Sequence, residues 1–170
     1  MRNLDITPNK IVISIILIII LFMGYQFLHF VYRFSGDVYM SSEEYIVNKS
    51  FNDLDWQIYQ FKKTNPQYYL IKTNEKGEDI VYEDHSSNKH YHVFFYWEDK
   101  NQTVQCLIDP IDNKNALLSL YAVSKGTNFA SWKLINTDDL TKKENKEIKK
   151  KFEVEILDKL GKWKHKRWYN

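Results

Sequence analysis

Residues 90–98 read HYHVFFYWE, and the period of that stretch decides the fold class. Tyr91, Val93, Phe95 and Trp97 alternate with His90, His92, Phe94, Tyr96 and Glu98. In an extended chain successive side chains point to opposite faces, so the first set reads as core and the second as a mixed outer face. This is the longest strand expected in the chain. It runs into a polar turn at residues 98–101, and Thr103 to Asp109 returns beside it. Upstream, Tyr68 to Thr73 and Asp79 to Glu83 flank Lys76 and Gly77, the pattern of a hairpin. Downstream, Ala116 to Ser124 and Phe129 to Asn136 form another pair, broken at residues 125–128. About six strands at 10–14-residue spacing, joined by short connections, predict an antiparallel meander.

Helical patterns flank these strands. Ser41 with Glu44 three residues later has the form of a capping box, and a second helix start falls at Ser50. From there Leu54, Ile58 and Phe61 recur at helical spacing until Pro66, because the residue before a proline avoids helical geometry. At the other end Leu140, Ile148, Phe152, Ile156, Leu160 and Trp163 mark one narrow stripe of a long helix otherwise rich in Lys and Glu. Thr137 or Asp138 is its expected cap, and Gly161 its expected end. The order is α+β: helix, antiparallel sheet of about six strands, long C-terminal helix, with helices on one sheet face. A cystatin-like arrangement, one helix cradled by a curved meander, is the most economical expectation, and such a fold carries no single function.

Ahead of that domain lies an intensely apolar run. Mean hydropathy over the 170 residues is −0.52, yet no charge interrupts the segment between Lys10 and Arg33. Its 22 residues, from Ile11 to Tyr32, would make a helix about 33 Å long, enough to cross a hydrocarbon layer of about 30 Å. Such a helix satisfies its own backbone hydrogen bonds where lipid offers none. The alternative is a buried core helix, which a run apolar on every face at the start of so small a chain does not favour. Signal-peptide cleavage needs small residues at −1 and −3, and the first Ala of the chain is Ala116. The only Cys is Cys106, so no lipoprotein cysteine follows the run. The reading is an uncleaved signal anchor at 11–32. Arg2 and Lys10 precede it against Arg33 after it, which favours a cytoplasmic N-terminus at 1–10. Residues 36–161 would then be an extracytoplasmic α+β domain and 162–170 a basic aromatic tail. The expected location is the cytoplasmic or inner membrane.

Composition narrows the class further. Apolar residues make up 44% and charged residues 27%, against 5 Gly and 3 Pro, which excludes disorder and collagen-like structure. One Cys excludes an intramolecular disulfide and a thiolate-rich zinc site. Formal charge is only +2, but it is unevenly divided. Residues 35–141 carry 10 basic and 16 acidic groups, while residues 142–170 carry 11 basic and 5 acidic groups. In the tail Lys162, Trp163, Lys164, Lys166, Arg167 and Trp168 interleave cations with rings, a pattern suited to anionic lipid headgroups. The alternative is a tail docked on the acidic body. No nucleic-acid partner is expected outside the cytoplasm; an inverted topology would restore that candidate.

No motif carries a reaction or a cofactor: there is no phosphate-binding Gly-rich loop, no Gly-x-Ser-x-Gly and no His-Glu-x-x-His. The best metal candidates are His85, His90 and His92, with Glu83 or Asp84 to complete a site, because His90 and His92 share one strand face. That set would support a metal-dependent envelope hydrolase. Cys106 alternates with Val104 and Ile108 and so belongs to the core face, where a thiol is inert. The aromatic load, 16% of the chain, extends to Phe94 and Tyr96 on the outer strand face, where exposed rings favour protein contact; the alternative is a helix that covers that face. The reading is a non-enzymatic, single-pass binding protein with a protein partner in the envelope, such as a complex subunit or a toxin-immunity protein.

Overall fold

In a computed structural model the described residues are 16–26, 41–73, 76–82, 84–87, 90–127, 129 and 131–166. Residues 16–26 are helix α1, and every one of its side chains is exposed. No helix among the described residues is long and apolar enough to cross a membrane. The ends of the expected span, including Ile11 and Tyr32, lie outside the described residues.

A second compact unit, Ser41–Asn170, carries the rest. It begins with β1 (Glu43–Val47), which corrects the helix expected from Ser41 and Glu44. Tyr45 and Val47 are fully buried with Ile46 between them, a period of two, and β1 is paired on both sides. Two ladders of backbone hydrogen bonds outweigh one local capping signal. The helix starts at the second position: Ser50 caps α2 (Phe51–Thr64), its hydroxyl oxygen accepting from the Asp53 N–H at 3.2 Å. Leu54, Ile58 and Phe61 are buried along it, each worth roughly 1.5–3 kcal/mol. Pro66 opens a 3₁₀ turn (Pro66–Tyr68) where α2 stops.

The hairpin follows as β2 (Ile71–Thr73) and β3 (Asp79–Val81), with Gly77 at φ +80° in its turn, a left-handed geometry glycine adopts without strain. It is a separate two-stranded sheet rather than part of the meander. The main sheet contains β4 (His85–Ser87), β5 (His90–Trp97), β6 (Gln102–Pro110), β7 (Ala116–Lys125) and the short β8 (Trp132–Leu134). Then comes α3 (Lys142–Phe152), continued by a π-helical stretch (Glu153–Leu157) and a last turn (Asp158–Leu160), and finally β9 (Trp163–His165). The strand order is β4-β5-β6-β7-β1-β9, all antiparallel, with β8 on the same edge of β7 beyond β1. At 10 residues β7, not β5, is the longest strand.

The expected alternation of β5 holds: Val93, Phe95 and Trp97 face the core with Val104, Cys106 and Ile108 of β6. Two helices rather than one supply the other side, through Leu54 and Ile58 of α2 and Ile148 and Phe152 of α3. The cap of α3 is Thr141, not Thr137 or Asp138. Thr141 and Glu144 form a reciprocal capping box, with the Thr141 N–H donating to Glu144 at 2.7 Å. The π-helical stretch inserts one residue into the stripe, which is why Ile156 and Leu157 are both fully buried. Glu43 ties β1 to α3. Burial pushes its carboxyl up, but bonds from Lys149 and Asn136 outweigh that and hold it below the usual range.

Candidate functional site

The helical spacing that buries Leu54, Ile58 and Phe61 sends Asn52, Trp56 and Tyr59 to the opposite face of α2. A core-facing helix ordinarily places polar residues there. Here Trp56 is 62% exposed and Tyr59 50% exposed, stacked with ring centres 5.5 Å apart. Facing them, the end of β3 and the segment after it bring Val81, Tyr82 and Asp84, held by the Tyr82 N–H donating to the Leu70 carbonyl at 2.7 Å. The result is a cleft of about 640 Å³ that Tyr69 and Tyr91 also line.

At the floor lies a buried ion pair. Lys62 Nζ reaches both Asp84 carboxylate oxygens, at 2.6 and 2.7 Å, and lies 4.9 Å from the Phe95 ring centre. The Phe94 N–H donates to the same carboxylate at 2.9 Å, so Asp84 joins the helix to the sheet. Burial pushes the Asp84 carboxyl up and the Lys62 ammonium down, each against the attraction of its partner. A desolvated charge pair in an aromatic cleft is a feature that clusters at functional sites. The cleft has flat apolar walls and a polar floor, and Asp55 and Asn52 also line it.

The sequence-predicted metal residues are only partly brought together. The His85 and His92 rings stack, with centres 5.5 Å apart and planes 12° from parallel. His92 Nδ1 meets Gln105 Nε2 at 2.9 Å, whereas His90 Nδ1 meets Asp109 at 2.7 Å. Asp84 is taken by Lys62, and Glu83 lies outside the described residues. Among the described residues no group of three or more His, Cys, Asp or Glu side chains could hold a metal ion. Cys106 is fully buried, and burial pushes its thiol up.

The outer face of β5 is covered at Phe94, by aromatic side chains rather than by a helix. Phe94 is only 4% exposed, packed against Tyr82, Phe129 and Trp132. Phe129 has φ +57°, a left-handed backbone unusual for a bulky residue. The Lys72 ammonium lies 3.4 Å from its ring centre, which helps to hold it there. Tyr96 is half-buried and its hydroxyl donates to Asn101 at 2.8 Å.

The basic tail is drawn into the fold. Trp163 to His165 form β9 against β1, so the sheet extends past the boundary drawn at residue 161. Trp163 packs edge-on to Tyr45 at 5.3 Å and its indole donates to Asp158 at 2.9 Å. Lys166 pairs with Glu44 at 2.9 Å, while the side chains of Lys162 and Lys164 are exposed. Arg167 and Trp168 lie outside the described residues.

Trp56 and Tyr59 were not singled out in the sequence. Their signal is nonetheless local: two rings on the face of α2 opposite the core stripe. Compared with models of protein families, with curated proteins and with solved structures, the chain matches none.

Proposed function

We propose that the protein is a single-pass membrane protein whose folded domain stands outside the cytoplasm and binds another macromolecule of the cell envelope through the α2 cleft. The observation that carries the binding role is the solvent-exposed Trp56–Tyr59 stack beside a cleft of about 640 Å³. Exposed aromatic rings around an anchor pocket are the composition of contact hot spots. The neighbouring Ile80 and Val81 are also exposed, which enlarges the apolar rim. Asp55 at the rim and the acidic balance of residues 35–141 suit a partner presenting apolar and basic side chains. A subunit of an envelope complex and an immunity protein against a basic toxin both fit that description. The uncharged run between Lys10 and Arg33, with residues 1–10 on the cytoplasmic side, supports the anchor.

The membrane assignment has a direct test. The full chain should stay in the membrane pellet through high-salt and alkaline washing, and a reporter at Asn170 should signal an extracytoplasmic C-terminus. Release by alkali, or a cytoplasmic reporter signal, overturns it. The cleft has its own test. Trp56→Ala with Tyr59→Ala should reduce recovery of native partners from detergent-solubilised membranes at least tenfold. Stability should change by about 0.5 kcal/mol or less, since both rings are exposed. Unchanged recovery would show that the cleft is not the contact face.

A further inference from the structure

A second cavity shares no residue with the α2 cleft. It measures about 430 Å³ and opens between the end of β7, β8 and α3. Its apolar floor is Trp97, Val123, Leu140 and Ile148, all buried. Lys100, Lys125 and Lys133 stand around it, and none forms an ion pair with a described residue. Three of the 10 basic groups of an otherwise acidic body thus converge on one cavity.

Two further groups sharpen the chemistry. Lys151 Nζ lies 5.2 Å from the Trp97 ring centre, with its charge already met by Asp99 and Glu155. The Trp97 indole N–H is buried and has no hydrogen-bond acceptor among the described residues, an uncommon state for a buried donor. Two carboxylates also line the wall: Glu144, held in the Thr141 capping box, feels the charge of Lys133, and Glu147 lies 3.9 Å from the exposed Lys143.

We propose that this cavity binds a small organic anion, a phosphate monoester with an apolar body of about one ring. The apolar floor, Trp97 included, takes the body, and the lysines around the cavity, Lys100 and Lys125 foremost, take the head. Lysine ammonium groups are point charges well suited to phosphate. The volume falls in the range of small-molecule sites. The ligand's source is either a soluble ester or a lipid phosphate, which share this chemistry.

The experiment is calorimetric titration of the full chain in neutral detergent with phenyl phosphate, inorganic phosphate and benzyl alcohol, with dihexanoyl phosphatidate as the lipid arm. Phenyl phosphate should bind at one per chain, at least tenfold more tightly than inorganic phosphate or benzyl alcohol, and should weaken as salt rises. Tighter binding of the phosphatidate assigns a lipid source, tighter binding of phenyl phosphate a soluble one, and either supports the site. Lys100→Gln with Lys125→Gln and Lys133→Gln should lower the affinity at least tenfold. These side chains are exposed, so the fold should persist; Lys125→Gln alone should give a loss of severalfold. In ¹⁵N-labelled protein the Trp97 indole resonance should shift on saturation while that of Trp56 does not. No saturable binding of phenyl phosphate, equal binding of benzyl alcohol, or undiminished binding by the triple variant overturns the proposal.

Discussion

Replacing Lys62 by Met is expected to destabilise the domain by about 3–5 kcal/mol, because it strands a buried carboxylate. Lys62 and Asp84 side chains are only 5% and 14% exposed, and the pair is closed at 2.6 Å. Methionine keeps the length and most of the packing of the lysine stem but removes the positive charge. Asp84 then keeps one strong partner, the Phe94 N–H. The decisive comparison is the double variant Lys62→Met with Asp84→Asn. Asparagine retains an oxygen for the Phe94 N–H and carries no charge to desolvate, so most of the lost stability should return. Urea denaturation of the full chain in detergent, followed by tryptophan fluorescence, reads both. A cost under about 1 kcal/mol for the single variant would mean that water reaches the pair and screens it.

Phe152→Ala should cost about 3–5 kcal/mol, the range for emptying a buried phenylalanine site. Phe152 is fully buried at the junction of α3 with its π-helical continuation. Its ring centre lies 5.8 Å from that of Tyr45 and 6.2 Å from that of Phe95, so one side chain meets β1 and β5 at once. The cavity left between two strands and a helix cannot close without moving all three. Val154, two residues on, is 52% exposed, and Val154→Ala should change stability by no more than about 0.5 kcal/mol. Equal effects at the two positions would show that the C-terminal helix does not pack as described.

The two variants also separate what could be read along the chain from what could not. Phe152 was legible: its place in the stripe with Ile148, Ile156 and Leu160 follows from helical spacing alone. Lys62 was not. On a helix wheel it flanks the core stripe and looks like any solvated lysine. Only the return of the chain 22 residues later, with Asp84 at the edge of β5, buries it. The histidines show the opposite case. His90 and His92 do share a face, as their spacing demands, but the Nδ1 of each meets a residue of the neighbouring strand β6, Asp109 and Gln105 respectively.

By itself the sequence determined the elements whose cause is local. The period of two in residues 90–97, the core stripe of α2 between Ser50 and Pro66, the turn at Gly77 and the four-residue stripe that runs from Ile148 to Leu160 each depend on residues within a few positions of one another. Tertiary structure alone decided that residues 43–47 are a strand, that residues 163–165 join the sheet, and that β2 and β3 leave it. It also decided the cleft, whose walls come from residues 52 to 91. The physical reason is common to all of these. A strand's place in a sheet and a convergent pocket are stabilised by hydrogen bonds and packing with partners far away in sequence, here Tyr45 with Leu118 and His165, and a short segment does not name such partners.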